Sequence, residues 1–180
     1  MTRILVAALA ISAVCATPAL AALKPGEKAP AFTTEAAMGG KALTYALADQ
    51  LKKGPVVVYF FPKANTGTCD AEAHAFSESM GKFKALGASV VGVSRDGIAV
   101  LTPYSTAKCN SAFPVASDAD GKVSKAYGAT LPLLPISSRT TYAVAPDGTI
   151  IMEFTKMGAS DEHAEKALAS LEAWKAKQKG

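Results

Sequence analysis

Two short, largely apolar runs constrain the fold of this chain more than any other feature of its sequence. The runs, Val56–Phe61 and Ala88–Val93, are too short for helices and rich in valine, which predicts strands buried on both faces. Between them, apolar residues recur at steps of three and four and predict one helix face, made of Ala73, Phe76, Met80 and Phe83. A strand, a helix and a second strand in this order predict a parallel β-α-β unit.

Further strands are predicted on both sides of this unit. They fall at residues 32–34, 43–45, 140–145 and 149–154, with turns at Gly39-Gly40 and Pro146-Asp147-Gly148. A helix is predicted over 96–110, where Pro103 either kinks the helix or stands in its first turn with Thr102 as the cap. A last helix is expected to begin after a cap at Ser160 and to pack Trp174 into the core. This order is typical of an α/β, thioredoxin-like fold: a central mixed β-sheet flanked by helices, with an N-terminal β extension.

The N-terminal segment has the layout of a secretory signal peptide. Arg3 is followed by an uncharged stretch over 4–15 and by Ala19-Leu20-Ala21, an A-x-A cleavage site. The stretch is shorter than the roughly 20 residues of a membrane-spanning helix, although an uncleaved anchor is the alternative. We therefore expect a signal peptide at 1–21, one domain at 22–180, secretion to a bacterial periplasm and no stable membrane association after processing.

Cleavage would leave two of the three cysteines. Cys15 would be lost with the signal peptide, and Cys69 and Cys109 would reach an oxidising compartment. An even number of cysteines in such a compartment favours a disulfide, which can be either structural or reactive.

Charge and histidine placement exclude some partners. The chain has 19 Lys and Arg against 15 Asp and Glu, a net charge of +4, and no basic run longer than Lys52-Lys53. A nucleic-acid protein needs a basic cluster on one face, so no nucleic-acid partner is expected. The histidines, His74 and His163, lie in polar helical surroundings and are expected to face solvent. No metal is expected, because the step from Cys69 to His74 places the two side chains on different faces of one helix.

Cys69 occupies a position that favours reactivity. It falls in the first turn of the predicted helix after the strand Val56–Phe61. Free N–H groups and the positive end of the helix dipole stabilise an anion there, and the thiolate is the reactive form of cysteine. Asp70 and Glu72 place negative charge near the same sulfur, so a compensating cation is required.

These residues resemble the active-site signature of a known family. Pro62, Thr66 and Cys69 match the P-x-x-x-T-x-x-C motif of the peroxiredoxins, and Glu72 and the preceding strand are similar to the Q-type (bacterioferritin-comigratory) subgroup. The similarity covers nearly the whole chain from Pro25 onward. It continues through Val91–Ser94, Phe113-Pro114, Ser117-Asp118 and residues 139–148.

The resemblance implies a thiol-dependent peroxidase that reduces hydrogen peroxide and organic hydroperoxides. Cys69 would be the peroxidatic cysteine and would form a sulfenic acid. Thr66 and Arg139, which corresponds to the family's active-site arginine, would stabilise the transition state, and Pro62 would shield the thiolate from water. The resemblance further implies no cofactor, recycling by a thioredoxin-like protein or a small-thiol reductant, and a monomer or weak dimer.

The sequence departs from the family pattern near this cysteine. Gly67-Thr68 replaces the usual Pro-Gly before Cys69, which alters the stiffness of the loop. Five residues beyond the cysteine, where many Q-type relatives carry a resolving cysteine, this chain has His74. Cys109 then becomes the candidate resolving cysteine, near the C-terminal end of a helix, where the dipole disfavours a thiolate.

The sequence also allows other interpretations of these residues and of the function. Cys69 could be an inert buried residue, and Cys69 and Cys109 could form a permanent structural disulfide. Cys109 could be a packing residue, and Arg139 a surface ion-pair partner. The alternative function is a non-enzymatic thioredoxin-fold binding or assembly factor. A dithiol oxidoreductase is disfavoured because the sequence contains no C-x-x-C motif.

Overall fold

The computed structural model describes residues 21–158 and 160–178. Its strands are β1 (Thr33–Met38), β2 (Lys41–Ala46), β3 (Val56–Phe60), β4 (Ser89–Ser94), β5 (Val115–Ser117), β6 (Thr140–Val144) and β7 (Ile150–Thr155). Its helices are α1 (Leu47–Leu51), α2 (Gly67–Ala85), α3 (Ile98–Ala107), α4 (Lys122–Ala126) and α5 (Glu162–Lys177).

The strands form one mixed sheet in the order β2-β1-β5-β4-β3-β6-β7. β3, β4 and β5 run parallel, whereas the pairs β1–β2, β1–β5, β3–β6 and β6–β7 are antiparallel. This is the mixed, helix-flanked sheet of the thioredoxin-like expectation, and the β1–β2 hairpin is its N-terminal extension.

Alternation along β3 builds a separate core on each face of the sheet. Val57 and Tyr59 contribute to one core, together with side chains of α2, α3 and α5. Val56, Val58 and Phe60 contribute to the other, as expected for a strand whose successive side chains point to opposite faces. The core that contains Tyr59 also contains both described cysteines, so the helix side of β3 is where the site forms.

The structure corrects three expectations about the helices. Pro103 lies inside α3, and the residue before the first turn is Gly97, so the late start at Pro103 is wrong. Thr102 donates to the carbonyl oxygen of Ile98 at 2.8 Å instead of capping a helix. Asp161, not Ser160, directly precedes α5.

Burial on α5 differs from the sequence expectation as well. His163 is fully buried instead of solvated, whereas Trp174, expected in the core, is half-buried. His74 is exposed, as predicted.

Three short elements and the N-terminus complete the comparison. The sequence analysis missed α1, β5 and α4, which are too short to produce a periodic pattern. The proposed signal peptide spans residues 1–21. Of these, residues 1–20 lie outside the described part of the chain. Among the described helices, none combines the length and the apolar character needed to span a bilayer.

Candidate active site

Cys69 lies in the first turn of α2, at the end of the loop that leaves β3. The loop turns sharply at Asn65, whose φ is 59°, and Thr66 is the extended residue just before the helix. The carbonyl of Thr66 accepts the first helical hydrogen bond, from the N–H of Asp70 at 2.9 Å. The Cys69 side chain is 2% exposed, so this turn holds the sulfur inside the protein.

Arg139 contacts the sulfur from the neighbouring strand. It directly precedes β6, and Thr140 pairs with Phe60 at the end of β3, so the arginine lies beside the β3–α2 loop. Its Nη2 donates to the Sγ of Cys69 at 3.2 Å, and its Nη1 contacts the carboxylate of Glu72. Its Nε donates to the carbonyl oxygen of Met157 at 3.1 Å. The predicted cation is thus present beside Cys69, held by three contacts and 2% exposed.

Glu72 places a second carboxylic acid in this buried cluster. It lies one turn beyond Cys69 on α2 and is 0% exposed. Burial raises the pKa of its carboxyl to about 8, although the contact with Arg139 acts in the opposite direction. On its other side, Oε1 lies 3.7 Å from the Nδ1 of His163. Burial lowers the pKa of that imidazole below its ordinary value.

The other predicted loop residues lie close in sequence but make different contacts. The hydroxyl of Thr66 donates to the carbonyl oxygen of Lys63 at 2.8 Å and is exposed. In this arrangement it closes the loop and does not bond to Cys69. Pro62 is half-buried at the start of the same loop.

Cys109 lies just beyond the C-terminal end of α3 and is 0% exposed. Burial raises the pKa of its thiol to about 12, and the negative charge of Asp70 adds to that effect. Both Cys69 and Cys109 are free thiols, so the described chain contains no disulfide between them.

Three contacts tie the region of Cys109 to α2. The hydroxyl of Tyr104 donates to the carbonyl oxygen of Cys69 at 3.2 Å. Lys108 pairs with Asp70 at 2.9 Å, and the Nδ2 of Asn110 donates to the Oγ of Ser77 at 2.8 Å. The turn that carries the second cysteine is therefore fastened to the helix that carries the first.

Sequence reasoning missed two residues near Arg139: His163, which lies beside Glu72, and Met157. The contact between Glu72 and His163 joins α2 to α5, and no local pattern predicts it. A usable signal was present in the sequence: a histidine among the apolar face residues Ala164, Ala167 and Leu168 of the last helix. Met157 contacts Arg139 through its carbonyl oxygen and its Sδ, from an irregular segment whose path the sequence does not indicate.

Comparison with known proteins gives a consistent result. Residues 25–152 match the AhpC/TSA family. A Mycobacterium tuberculosis protein assigned as a peroxiredoxin is 36% identical over 136 residues, covering 72% of this chain and 83% of that protein. The chloroplastic peroxiredoxin Q of Populus jackii is 31% identical over 153 residues, covering 84% of this chain and 70% of that protein.

Solved structures have the same architecture. Peroxidoxin BcpB of Mycobacterium tuberculosis superposes with a TM-score of 0.75 at 30% identity, covering 84% of this chain and 97% of that one. Peroxiredoxin Q of Xanthomonas campestris superposes with a TM-score of 0.68 at 27% identity, covering 77% and 89%.

Proposed function

This chain belongs to the AhpC/TSA family and is a thiol-dependent peroxidase, and on that premise we propose that Cys69 is the cysteine that attacks the peroxide. The observation that carries the proposal is the bond from the Nη2 of Arg139 to the Sγ of Cys69, at 3.2 Å inside the protein. Family membership does not favour a non-enzymatic assembly factor. The substrate class is hydrogen peroxide and organic hydroperoxides.

The first step oxidises the sulfur of Cys69 by two electrons. The thiolate attacks one oxygen of the peroxide, an S–O bond forms and the O–O bond breaks. The other oxygen leaves as hydroxide or alkoxide and takes a proton to become water or an alcohol, and the cysteine becomes a sulfenic acid. Negative charge therefore moves from sulfur to the leaving oxygen during the step.

The proposed roles of the surrounding residues follow from this movement of charge. The guanidinium of Arg139 already donates to the sulfur and has further N–H groups that can follow the charge. The hydroxyl of Thr66 can accept from the peroxide proton once it turns away from the carbonyl of Lys63. Pro62 offers no N–H to the loop and limits access of water to the sulfur.

We assign the resolving role to Cys109. Its thiol attacks the sulfenic sulfur of Cys69, an S–S bond forms and the oxygen leaves as water. Two thiols of a thioredoxin-like protein or of a small-thiol reductant then reduce the disulfide and return both cysteines to the thiol form.

A disulfide requires the Cα atoms of its two cysteines to lie within about 7 Å of each other. The turn that carries Cys109 therefore has to move if its Cα atom lies farther than this from that of Cys69. The contacts to release are the Lys108–Asp70 pair and the bond from Asn110 to Ser77. α3 is the easier helix to open because Pro103, inside it, lacks the N–H that would extend the helical hydrogen bonds.

We further propose that the chain is exported, to a bacterial periplasm, with cleavage after Ala21, and that it acts as a monomer or weak dimer. The support is the signal-like layout of 1–21. N-terminal sequencing of the exported protein tests the cleavage. A mature protein that begins at Met1 would contradict it.

Intact mass spectrometry tests the two cysteine roles together. Reduced wild type and Cys109→Ser each receive one equivalent of hydrogen peroxide. Wild type is expected to lose two hydrogens as it forms a monomeric disulfide, whereas the variant gains one oxygen at Cys69. If both proteins give the same product, Cys109 is a packing residue and an external thiol resolves the sulfenic acid. If neither reacts, Cys69 is not the peroxidatic cysteine.

A further inference from the structure

A buried Glu–His pair adjoins the arginine that contacts Cys69, and the steps above make no use of it. Glu72 and His163 are both 0% exposed, and the Oε1 of Glu72 lies 3.7 Å from the Nδ1 of His163. The other carboxylate oxygen contacts Arg139, but Oε1 has no hydrogen-bond partner within the described residues. A buried acceptor without a donor costs free energy, so this oxygen needs an explanation.

The two nitrogens of His163 have different neighbours. Nε2 lies 3.1 Å from the carbonyl oxygen of Lys156, which can only accept, so Nε2 carries a proton. Nδ1 lies 2.8 Å from the hydroxyl oxygen of Thr141, which can donate or accept. The ring also packs edge-on against Phe154, with centroids 4.7 Å apart, which fixes its plane.

One additional proton satisfies this arrangement. Without it, Nδ1 accepts from Thr141, and the carboxylate oxygen Oε1 has no donor within the described residues. A proton on Oε1 makes Glu72 a neutral acid, whereas a proton on Nδ1 donates to the hydroxyl oxygen of Thr141 and places positive charge 3.7 Å from Oε1. Because the two groups are buried side by side and either can carry this proton, we assign the proton to the pair.

We propose that His163 is a positioning residue of the peroxidase site: with Glu72 it holds one shared proton, which keeps the pair neutral and leaves the charge of Arg139 to Cys69. The inference rests on the proposed role of Cys69. When the pair loses its proton, the carboxylate of Glu72 competes with the thiolate for the same guanidinium, so the thiolate is less stabilised. Reactivity toward peroxide should then fall as pH rises.

The pKa directions of the pair agree with a retained proton. Burial raises the pKa of Glu72 to about 8, and burial lowers that of His163. Both effects favour a neutral carboxylic acid beside a neutral imidazole at pH 7.

The remaining ionisable groups around the pair do not supply the proton. Tyr59 from β3 and Tyr104 from α3 have pKa values raised above the ordinary range by burial, so both stay neutral. Near α5, Lys156 and Glu162 pair with each other at 2.5 Å. Arg139 and Cys69, whose contacts are described above, are also ionisable groups near the pair.

The test compares pH profiles of the peroxide reaction. For wild type, the second-order rate constant of Cys69 with hydrogen peroxide should fall through a basic limb near pH 8. In His163→Gln, the amide donates to Oε1 and stabilises the carboxylate, so the limb should move to lower pH by about one to two units. In Glu72→Gln, which cannot ionise, the limb should disappear. The matched control is His74→Gln, on the exposed side of α2, whose profile should superpose on that of wild type.

A second measurement needs no change at His163. The chain has two histidines, so in His74→Gln the remaining imidazole signals come from His163. The ¹⁵N shift of Nδ1 should change over the same pH range as the basic limb, while Nε2 stays protonated. That change should vanish in Glu72→Gln/His74→Gln.

The outcomes separate this inference from the proposed function. A wild-type protein whose Cys69 does not react with peroxide contradicts the proposed function, and the imidazole titration still decides whether the pair holds a proton. An Nδ1 shift that is constant across this range overturns the inference. So does a His163→Gln profile that equals the wild-type profile or is lowered by one factor at every pH, because a structural role alone would do that.

Discussion

The two described cysteines are equally buried and differ in their charged surroundings. Cys69 is 2% exposed and Cys109 is 0% exposed, and both belong to one apolar cluster. Cys69 lies at the N-terminal end of α2, with the guanidinium of Arg139 at 3.2 Å. Cys109 lies beyond the C-terminal end of α3, where burial and the charge of Asp70 raise the pKa of its thiol to about 12.

The difference teaches that burial alone does not determine how a thiol reacts. A helix N-terminus and a cation stabilise the anion that attacks, whereas burial without a contacting cation in the described chain, together with the charge of Asp70, keeps the second sulfur protonated. A pair built this way has a fixed order of reaction: one sulfur meets the peroxide, and the other waits for the oxidised product.

Exchange of each cysteine for serine gives the largest expected contrast. Cys69→Ser should consume no peroxide above the buffer rate, because a serine hydroxyl stays neutral and cannot replace the thiolate. Cys109→Ser should still consume the first equivalent at the wild-type rate. Stopped-flow peroxide consumption measures both, with circular dichroism as the check on folding. If Cys69→Ser consumed peroxide at the wild-type rate, Cys69 would not be the cysteine that attacks the peroxide.

Removal of the cation should bring Cys69 closer to the behaviour of Cys109. Arg139→Met is expected to slow the peroxide step by about 10²–10³-fold, the usual loss for one donor acting on transition-state charge. Arg95→Met is the matched control, since Arg95 has no contact with Cys69 among those found in the described chain. A decrease of the same size in both variants would show a general loss of structure.

Thr66→Val should have a smaller effect on the same step. The hydroxyl is uncharged, and neutral hydrogen bonds have roughly half the strength of charge-assisted ones. We therefore expect about a tenfold decrease in rate, measured by the same stopped-flow assay. Thr68→Val, two residues away on the same exposed turn, is the control. If the two variants have equal rates, the hydroxyl of Thr66 acts only in closing the loop.

The smallest effect concerns the environment of Cys109. Asp70→Asn removes the secondary cause of its high pKa while burial, the larger cause, remains, so the pKa of the thiol should fall slightly. The pH dependence of alkylation of Cys109, measured in a Cys69→Ser background, reports the shift. Asp120→Asn, at an exposed carboxylate, should leave it unchanged. An upward shift in Asp70→Asn would contradict the assigned electrostatic effect.

The sequence predicted those parts of the fold that depend on local patterns. The valine-rich run at β3 and the periodicity of α2 are local, and together they put Cys69 in the first helical turn. β5 is too short for a periodic signal, and Pro103 lies inside α3 because tertiary packing outweighs its unfavourable helix propensity.

The site was predictable in part, for a similar reason. The signature of Pro62, Thr66 and Cys69 is contiguous, and the resemblance extended it to Arg139. The burial of His163 against Glu72 depends on how α5 packs on α2. A histidine among apolar face residues indicates burial, but it does not identify the residue that it contacts.

The bond between Arg139 and Cys69 joins residues 70 positions apart in the chain. Its formation requires β6 to add to β3 after a long loop has closed, and closing such loops is among the slow, entropically costly events of folding. A refolding chain can therefore form α2, and place Cys69 in its first turn, well before the sulfur meets its cation. Recovery of peroxide reactivity after dilution from denaturant should lag behind the recovery of helix and coincide with the closure of the sheet.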